Sequence, residues 1–127
     1  MPKQVMVVED HAISREGLSV ILRRHGYDVI ALENGRQAFE LLMTGTRPDV
    51  ILLDMLMPVL DGWRLLERIK DTPAAKIPII ITTGTILTKD WAAMKGCAGF
   101  VKKPVDEQEL LEELRAVLPP AHEGSGG

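Results

Sequence analysis

The sequence predicts an α/β domain in which five parallel strands form a doubly wound sheet covered by helices on both faces. Three observations support this prediction. Five short apolar segments alternate with five segments that carry apolar residues at helical spacing. Such alternation favours a parallel sheet with right-handed crossovers. Four of the five predicted strands end in polar residues, and 127 residues suffice for one domain with a full core.

The composition is that of an ordinary globular domain. Hydrophobic residues make up 46% and charged residues 26%, and the net charge of −3 suggests neither a nucleic-acid nor a membrane partner. No apolar run approaches the ~20 residues of a membrane span, and the N-terminus lacks a signal-peptide pattern. The single cysteine, Cys97, cannot form an internal disulfide. Together these features predict a cytoplasmic location.

The first half of the chain alternates strand and helix twice. Leu18, Ile21 and Leu22 share one face of the first predicted helix, and Gly26 suits the left-handed residue beyond its end. In the second helix, Ala38, Phe39, Leu42 and Met43 are expected to face inward. The predicted elements are a strand at 5–8, a helix at 11–24, a strand at 27–32 and a helix at 36–43.

The central strand is predicted at Val50 to Asp54. Four large apolar residues run directly into one acid, a pattern typical of a strand buried on both faces. Pro58 follows and cannot continue a hydrogen-bonded ladder. We therefore expect the carboxylate of Asp54 at the carboxyl edge of the sheet, where open α/β folds bind their ligands.

The second half of the chain is expected to repeat the alternation. Thr88 is a candidate cap for a short fourth helix, and Asp106 with Glu109 resembles a capping box. Residues 119–127 end in Gly-Ser-Gly-Gly and are expected to form a flexible tail or the start of a linker. The predicted elements are a helix at 61–70, a strand at 78–82, a short helix within 86–95, a strand at 100–101 and a final helix from 106 to 118.

The polar residues at the strand ends form a candidate site, because parallel strands place their carboxyl ends on one edge. Three carboxylates in one cleft repel each other unless a cation joins them, and Mg²⁺ prefers such oxygen ligands. Asp10 and Asp54 are candidates for direct ligands, with Glu9 acting through water and the backbone carbonyl of Leu56 adding an oxygen. The predicted site residues are Glu9, Asp10, Asp54, Leu56, Thr83 and Lys103.

Phosphoryl transfer is the chemistry that these groups favour. The hydroxyl of Thr83 and the positive charge of Lys103 can neutralise and position a phosphoryl group. Asp54 would then be the oxygen nucleophile. Because the reaction consists mainly of positioning and charge neutralisation, these few groups are enough to support it.

The chain resembles a known protein family. Over about Lys3 to Leu118 it is similar to the receiver domain of two-component response regulators. The domain that matches is assigned to residues 1–118. The shared motifs are highly specific in this order and spacing. These motifs are Glu9-Asp10, the segment of Asp54 with Pro58 and Asp61-Gly62, Thr83-Gly84, Gly96 and Phe100 to Pro104.

The resemblance implies a flavodoxin-like sheet of order 2-1-3-4-5. It also implies that Asp54 accepts a phosphoryl group from a histidine kinase or a histidine phosphotransfer protein, and that Glu9 and Asp10 hold Mg²⁺. Thr83 and Lys103 would bind the phosphoryl oxygens, and the Lys103–Pro104 peptide bond would be cis. The chain would be a switch that catalyses no reaction on a separate substrate.

The same resemblance implies a conformational switch. Thr83 would move toward the phosphoryl group, and Phe100 would rotate into the space it leaves. The fourth helix, fifth strand and fifth helix would form the output surface. Its partner would be an unknown downstream protein or a missing output domain, and a phosphorylation-dependent homodimer is a further expectation.

Two departures from the family pattern carry expectations of their own. The segment between Thr83 and Lys103 is about two residues shorter than in relatives by simple alignment, so a short or shifted fourth helix is expected. Leu56 and Thr85 occupy positions that tune dephosphorylation. The apolar Leu56 is expected to hinder the attacking water and to prolong the phosphorylated state.

Three other functions stay open at the level of the sequence. A degenerate receiver would bind partners without being phosphorylated. A phosphatase or phosphotransferase with an aspartyl-phosphate intermediate would need a second acid where Leu56 stands. A flavin or nucleotide binder would need a glycine-rich loop after the first strand, where Asp10-His11-Ala12 stands instead.

Overall fold

The structure, a computed structural model, describes residues 2–55, 62–84, 89–94 and 96–118. Its five strands are all parallel and lie in the order β2-β1-β3-β4-β5, so the predicted fold class and strand order are confirmed. The strands are β1 (Gln4–Val8), β2 (Asp28–Leu32), β3 (Val50–Asp54), β4 (Ile79–Thr83) and β5 (Gly99–Lys102). The helices are α1 (Ala12–Arg24), α2 (Gly35–Met43), α3 (Gly62–Ile69), α4 (Lys89–Met94) and α5 (Glu107–Val117).

The central strand β3 has helices on both of its faces. All five of its residues are buried, which explains why its sequence is a continuous apolar run rather than an alternating one. Side chains of β1 and β3 point alternately to two hydrophobic clusters, one with α1 and α5 and the other with α2, α3 and α4. The helices contribute Leu18, Leu22, Leu110, Leu111 and Leu114 to the first cluster and Ala38, Leu42, Leu65, Ile69 and Ala92 to the second.

Side chains at the helix N-termini help to set where the helices begin. The side chain of Asp106 accepts a hydrogen bond from the Glu109 backbone N–H at 2.9 Å, as the capping pattern predicted. Asn34 is the N-cap of α2, and its side chain accepts a hydrogen bond from the Gln37 N–H at 2.9 Å. Gly26 follows α1 in the left-handed region at φ +89°, also as predicted.

Three local features differ from the sequence prediction. Met43 was expected to face inward but is 41% exposed. The buried face of α2 is centred on Ala38 and Leu42, and Met43 lies at a larger angle from that centre than Phe39 does. A short 3₁₀ helix at Pro73–Lys76 was not predicted, since four residues are too few to show a hydrophobic period. The strand predicted at 78–82 is shifted by one residue.

Some predictions lie outside the described residues. These are the roles of Leu56 and Thr85, the start of the third helix at Asp61, the cap at Thr88, and the tail at 119–127. The fourth helix is short, as expected, with six residues. Within the described part of the chain, no helix combines the length and apolar character needed to cross a bilayer.

Candidate functional site

Asp54 is the last residue of the central strand and is only 3% exposed. Two backbone contacts hold this end of β3 in place. The N–H of the next residue, Met55, donates to Thr82 O on β4 at 3.2 Å. On the other side, a Cβ built on Gly62 would lie 2.8 Å from Asp54 O, so the start of α3 packs directly on the strand end. The carboxylate therefore lies at a fixed point of the sheet edge.

The two acids after β1 lie beside Asp54. Glu9 is 1% exposed, its N–H donates to Leu32 O at 3.0 Å, and its Oε2 accepts from the His11 N–H at 3.1 Å. Asp10 is half-buried. One carboxylate oxygen from each of Glu9, Asp10 and Asp54 lies within 4.8 Å of the other two. The fold thus brings Asp54 next to two adjacent acids that are far from it in the sequence.

Lys103 completes the cluster from the end of β5. Its Nζ lies 2.7 Å from Glu9 Oε1 and 3.5 Å from Asp54 Oδ2. Partial burial alone would lower the pKa of Lys103, but contact with Glu9 and the negative charge of Asp54 outweigh it and raise the pKa above its usual value. The side chain is therefore an ammonium at neutral pH. The Lys103–Pro104 peptide bond is cis, as the resemblance implied.

The carboxylates fit a hard divalent cation. In their ionised forms, Glu9, Asp10 and Asp54 carry three negative charges, and Lys103 supplies one positive charge. Glu9 Oε1 is buried, and apart from its ion pair with Lys103 it has no well-aligned hydrogen-bond donor among the described residues. Mg²⁺ favours such carboxylate oxygens while keeping several waters. Asp10, Asp54 and Glu9 are the described residues that would hold it, whereas Leu56 lies outside them.

Thr83 and Phe100, the two predicted switch residues, lie on the neighbouring strands β4 and β5. Thr83 is the last residue of β4 and is fully buried. It lies one position beyond Thr82, which pairs with Asp54 in the register of β3 and β4. Phe100, on β5, is 9% exposed and packs in the cluster of α3 and α4. The aromatic ring is thus buried in this structure.

Sequence reasoning missed one residue at this site. The side chain of Arg15, on the first turns of α1, donates from Nη1 to Glu9 O at 2.9 Å and to Asp10 O at 3.4 Å. An arginine on a predicted helix gives no sequence signal for this role, because hydrophobic periodicity does not report bonds from a side chain to the backbone of another element.

A family model described as the response regulator receiver domain matches residues 5–115. The chain belongs to the response regulator receiver family. This receiver domain is 34% identical over 122 residues to protein PilH of Pseudomonas aeruginosa, covering 91% of this chain and 97% of PilH. It is 30% identical over 121 residues to the polar-differentiation response regulator DivK of Brucella anthropi, covering 93% and 98%.

Solved structures agree with this assignment. The chemotaxis protein CheY4 of Vibrio cholerae superposes with a TM-score of 0.82 at 28% identity, covering 93% of this chain and all of that one. A response regulator receiver protein from Pseudomonas putida gives 0.81 at 27% identity, covering 91% and 97%. The receiver domain spans only about half of some longer relatives, such as the phosphate regulon regulator PhoB of Pseudomonas aeruginosa, of which it covers 52%.

Proposed function

We propose that this receiver domain is a phosphoacceptor switch, in which Asp54 receives a phosphoryl group from a histidine kinase or a histidine phosphotransfer protein. The observation that carries the proposal is the environment of one carboxylate. Asp54 is nearly fully buried at the carboxyl edge of the sheet, with the ammonium of Lys103 3.5 Å away and two further acids within 4.8 Å. A residue that only capped a turn would not need this combination of charges.

The proposed reaction is an in-line transfer of a phosphoryl group. An oxygen of Asp54 attacks phosphorus, an O–P bond forms, and the P–N bond of the donor phosphohistidine breaks. The electron pair of that bond stays on the imidazole, which leaves neutral because its other ring nitrogen carries a proton. Lys103 and the hydroxyl of Thr83 would hold the phosphoryl oxygens, and Mg²⁺ would supply neutralising charge at the same oxygens.

The proposed output is a change of surface and not the turnover of a separate substrate. A phosphoryl group can bias two conformations only if it makes different contacts in each. Thr83 is the group that would respond to it, and Phe100 is the bulky neighbour on the adjacent strand whose packing would change. The surface formed by α4, β5 and α5 would then bind a downstream protein, an output domain or a second copy of the chain.

Intact mass spectrometry tests the acceptor role. The protein is incubated with acetyl phosphate and Mg²⁺, with and without EDTA, beside the variant Asp54→Asn. We expect a gain of one phosphoryl group in the wild type, dependent on Mg²⁺ and absent in the variant. The asparagine amide keeps the size of the side chain but is a poor nucleophile, so loss of labelling is assigned to the chemistry at this residue.

A degenerate receiver is the competing function. It predicts a folded wild-type protein that gains no phosphoryl group and shows no spectral change with beryllofluoride, a mimic of the phosphoryl group. That pair of results would contradict the phosphoacceptor proposal. Turnover of a small phosphate ester by the wild type would contradict it differently, since it would make the chain a phosphatase.

A further inference from the structure

Arg15 connects helix α1 to the end of strand β1. Its backbone N–H donates to His11 O at 2.8 Å, so the residue lies within the first turns of the helix. Side chains on a helix lean toward its N-terminus. The guanidinium of Arg15 consequently reaches back past the helix start to the two acids that precede it.

The contacts of this guanidinium are to backbone and not to the acidic side chains. Nη1 donates to Glu9 O at 2.9 Å and, more weakly, to Asp10 O at 3.4 Å. One nitrogen thus spans two successive carbonyl oxygens and holds the peptide unit between the two acids. These acids lie just beyond β1, so they lack the full set of ladder bonds that fixes a strand interior.

The side-chain directions of Glu9 and Asp10 follow from the backbone that Arg15 holds. Glu9 has further anchors in Leu32 O and in the His11 N–H. For Asp10, the bond from Arg15 is the anchor that the structure records on its backbone carbonyl. A rotation of this peptide would move the Asp10 carboxylate relative to Asp54, and therefore change the cluster in which the three oxygens lie within 4.8 Å.

We propose that Arg15 is a positioning residue for the divalent cation site, acting by clamping the Glu9–Asp10 backbone so that three carboxylates converge. This inference rests on the proposed function to the extent that those carboxylates bind Mg²⁺. The planar, always charged guanidinium suits such a clamp, whereas an ammonium is a compact point charge on a flexible stem.

The charge of Arg15 and its positioning role predict opposite changes in Mg²⁺ affinity when the side chain is replaced. The direction of the change therefore tests the inference. A guanidinium near a divalent cation repels it, so removal of the charge alone would tighten Mg²⁺ binding. Loss of the clamp would weaken Mg²⁺ binding, because removal of groups that orient metal ligands typically lowers the affinity about ten- to a hundredfold.

The experiment measures the Mg²⁺ dissociation constant of the unphosphorylated full chain by isothermal titration calorimetry. The variants are Arg15→Gln, Arg15→Lys and the control Arg23→Gln, an exposed arginine on the same helix. We expect Arg15→Gln to weaken Mg²⁺ binding about ten- to a hundredfold relative to wild type. Arg15→Lys should bind Mg²⁺ more weakly than wild type but no more weakly than Arg15→Gln, and Arg23→Gln should bind it as wild type does. Circular dichroism confirms that each titrated variant is folded, and Arg15→Lys, which keeps charge and stem, serves if Arg15→Gln is unfolded.

A second readout separates positioning from a general structural role. The rate of labelling with acetyl phosphate is measured against Mg²⁺ concentration. We expect the half-saturating Mg²⁺ concentration to rise in Arg15→Gln, while the rate at saturating Mg²⁺ stays within about twofold of wild type, since a filled site no longer needs the clamp.

Several results would overturn the inference. Unchanged or tighter Mg²⁺ binding in folded Arg15→Gln would do so, as would wild-type affinity in Arg15→Lys, which would show that the planar guanidinium is not what holds the site. A wild type that binds no Mg²⁺ would overturn both this inference and the proposed function. A wild type that binds Mg²⁺ but is not labelled would overturn only the proposed function, and the ratio of dissociation constants would still decide the role of Arg15.

Discussion

Lys103 is the residue on which the charge balance of the site depends. Glu9 is 1% exposed, and its Oε1 lies 2.7 Å from Lys103 Nζ. Removal of the ammonium would leave this carboxylate buried without its positive partner, beside two other acids. The stability of the metal-free protein should therefore depend on this one side chain more than on any exposed lysine.

We predict that Lys103→Met lowers the free energy of unfolding by about 1–3 kcal/mol in EDTA, the usual penalty for leaving a buried polar group without its partner. Urea unfolding measures the change, and the matched control is Lys102→Met, at the exposed last residue of β5 next to Lys103. Added Mg²⁺ should restore part of the loss, because it replaces the missing positive charge. Equal stabilities of the two variants in EDTA would contradict the prediction.

The same lysine predicts a pH dependence. Its pKa is higher in the folded protein than usual, because contact with Glu9 and the charge of Asp54 outweigh the opposite effect of burial. A raised folded-state pKa gives stabilisation that is fully present below the ordinary lysine pKa and is lost as the pH rises through the raised value. The stability difference between wild type and Lys103→Met should therefore shrink only at strongly alkaline pH.

At the scale of elements, the approach of α3 to the end of β3 determines how the acceptor is held. A Cβ on Gly62 would lie 2.6 Å from Met55 Sδ, 2.8 Å from Asp54 O and 2.9 Å from Met55 Cα. Two of these neighbours are backbone atoms of the strand end and cannot yield by a change of rotamer. Gly17 on α1 provides a contrast, since nothing lies within 4 Å of a Cβ built there.

We predict opposite effects for two alanine substitutions. Gly62→Ala should destabilise the protein by about 1–3 kcal/mol through overpacking, and should slow phosphorylation by displacing Asp54. Gly17→Ala should stabilise it by about 0.5–1 kcal/mol, because alanine loses less backbone entropy in a helix. Chemical unfolding and the labelling rate measure both variants. A Gly62→Ala protein as stable as wild type and labelled as fast would refute the close packing described here.

At the scale of the whole molecule, the site joins the ends of β1, β3 and β5. The unfolded chain does not hold these acids together, so Mg²⁺ should bind the folded form preferentially. Such linkage stabilises a protein by about 2.7 kcal/mol at a ligand concentration 100 times the dissociation constant. The predicted result is a melting temperature that rises with Mg²⁺, whereas Asp10→Ala, which removes one of the proposed ligands, shows a smaller rise. A rise reproduced by NaCl at equal ionic strength would point to general screening instead.

Much of this architecture was predictable from the sequence, because buried helices and strands produce recognisable patterns of hydrophobic residues. The buried run before Asp54, the helical stripe of α1 and the polar strand ends located the fold and the cluster of acids. The strand order came from the family resemblance and not from any single pattern. Contacts between specific atoms of different elements were not predictable in the same way.

Three such contacts show why. The bonds of Arg15 to the Glu9–Asp10 backbone, the approach of Gly62 to Met55, and the pairing of Trp63 with Trp91 at 6.1 Å between ring centroids all join elements whose separation depends on the folded geometry. Hydrophobic periodicity predicts which face of an element is buried. It does not predict which atom of another element that face meets.

The proposal that Asp54 is the phosphoacceptor can be tested at the residue itself. Its most direct test treats the acetyl phosphate-labelled protein with borohydride, which reduces an aspartyl phosphate to homoserine, and locates the product by peptide mass spectrometry. We expect homoserine at position 54, formed with Mg²⁺ and absent with EDTA. Labelled protein in which residue 54 remains aspartate, or in which homoserine appears at Asp10 instead, would contradict it.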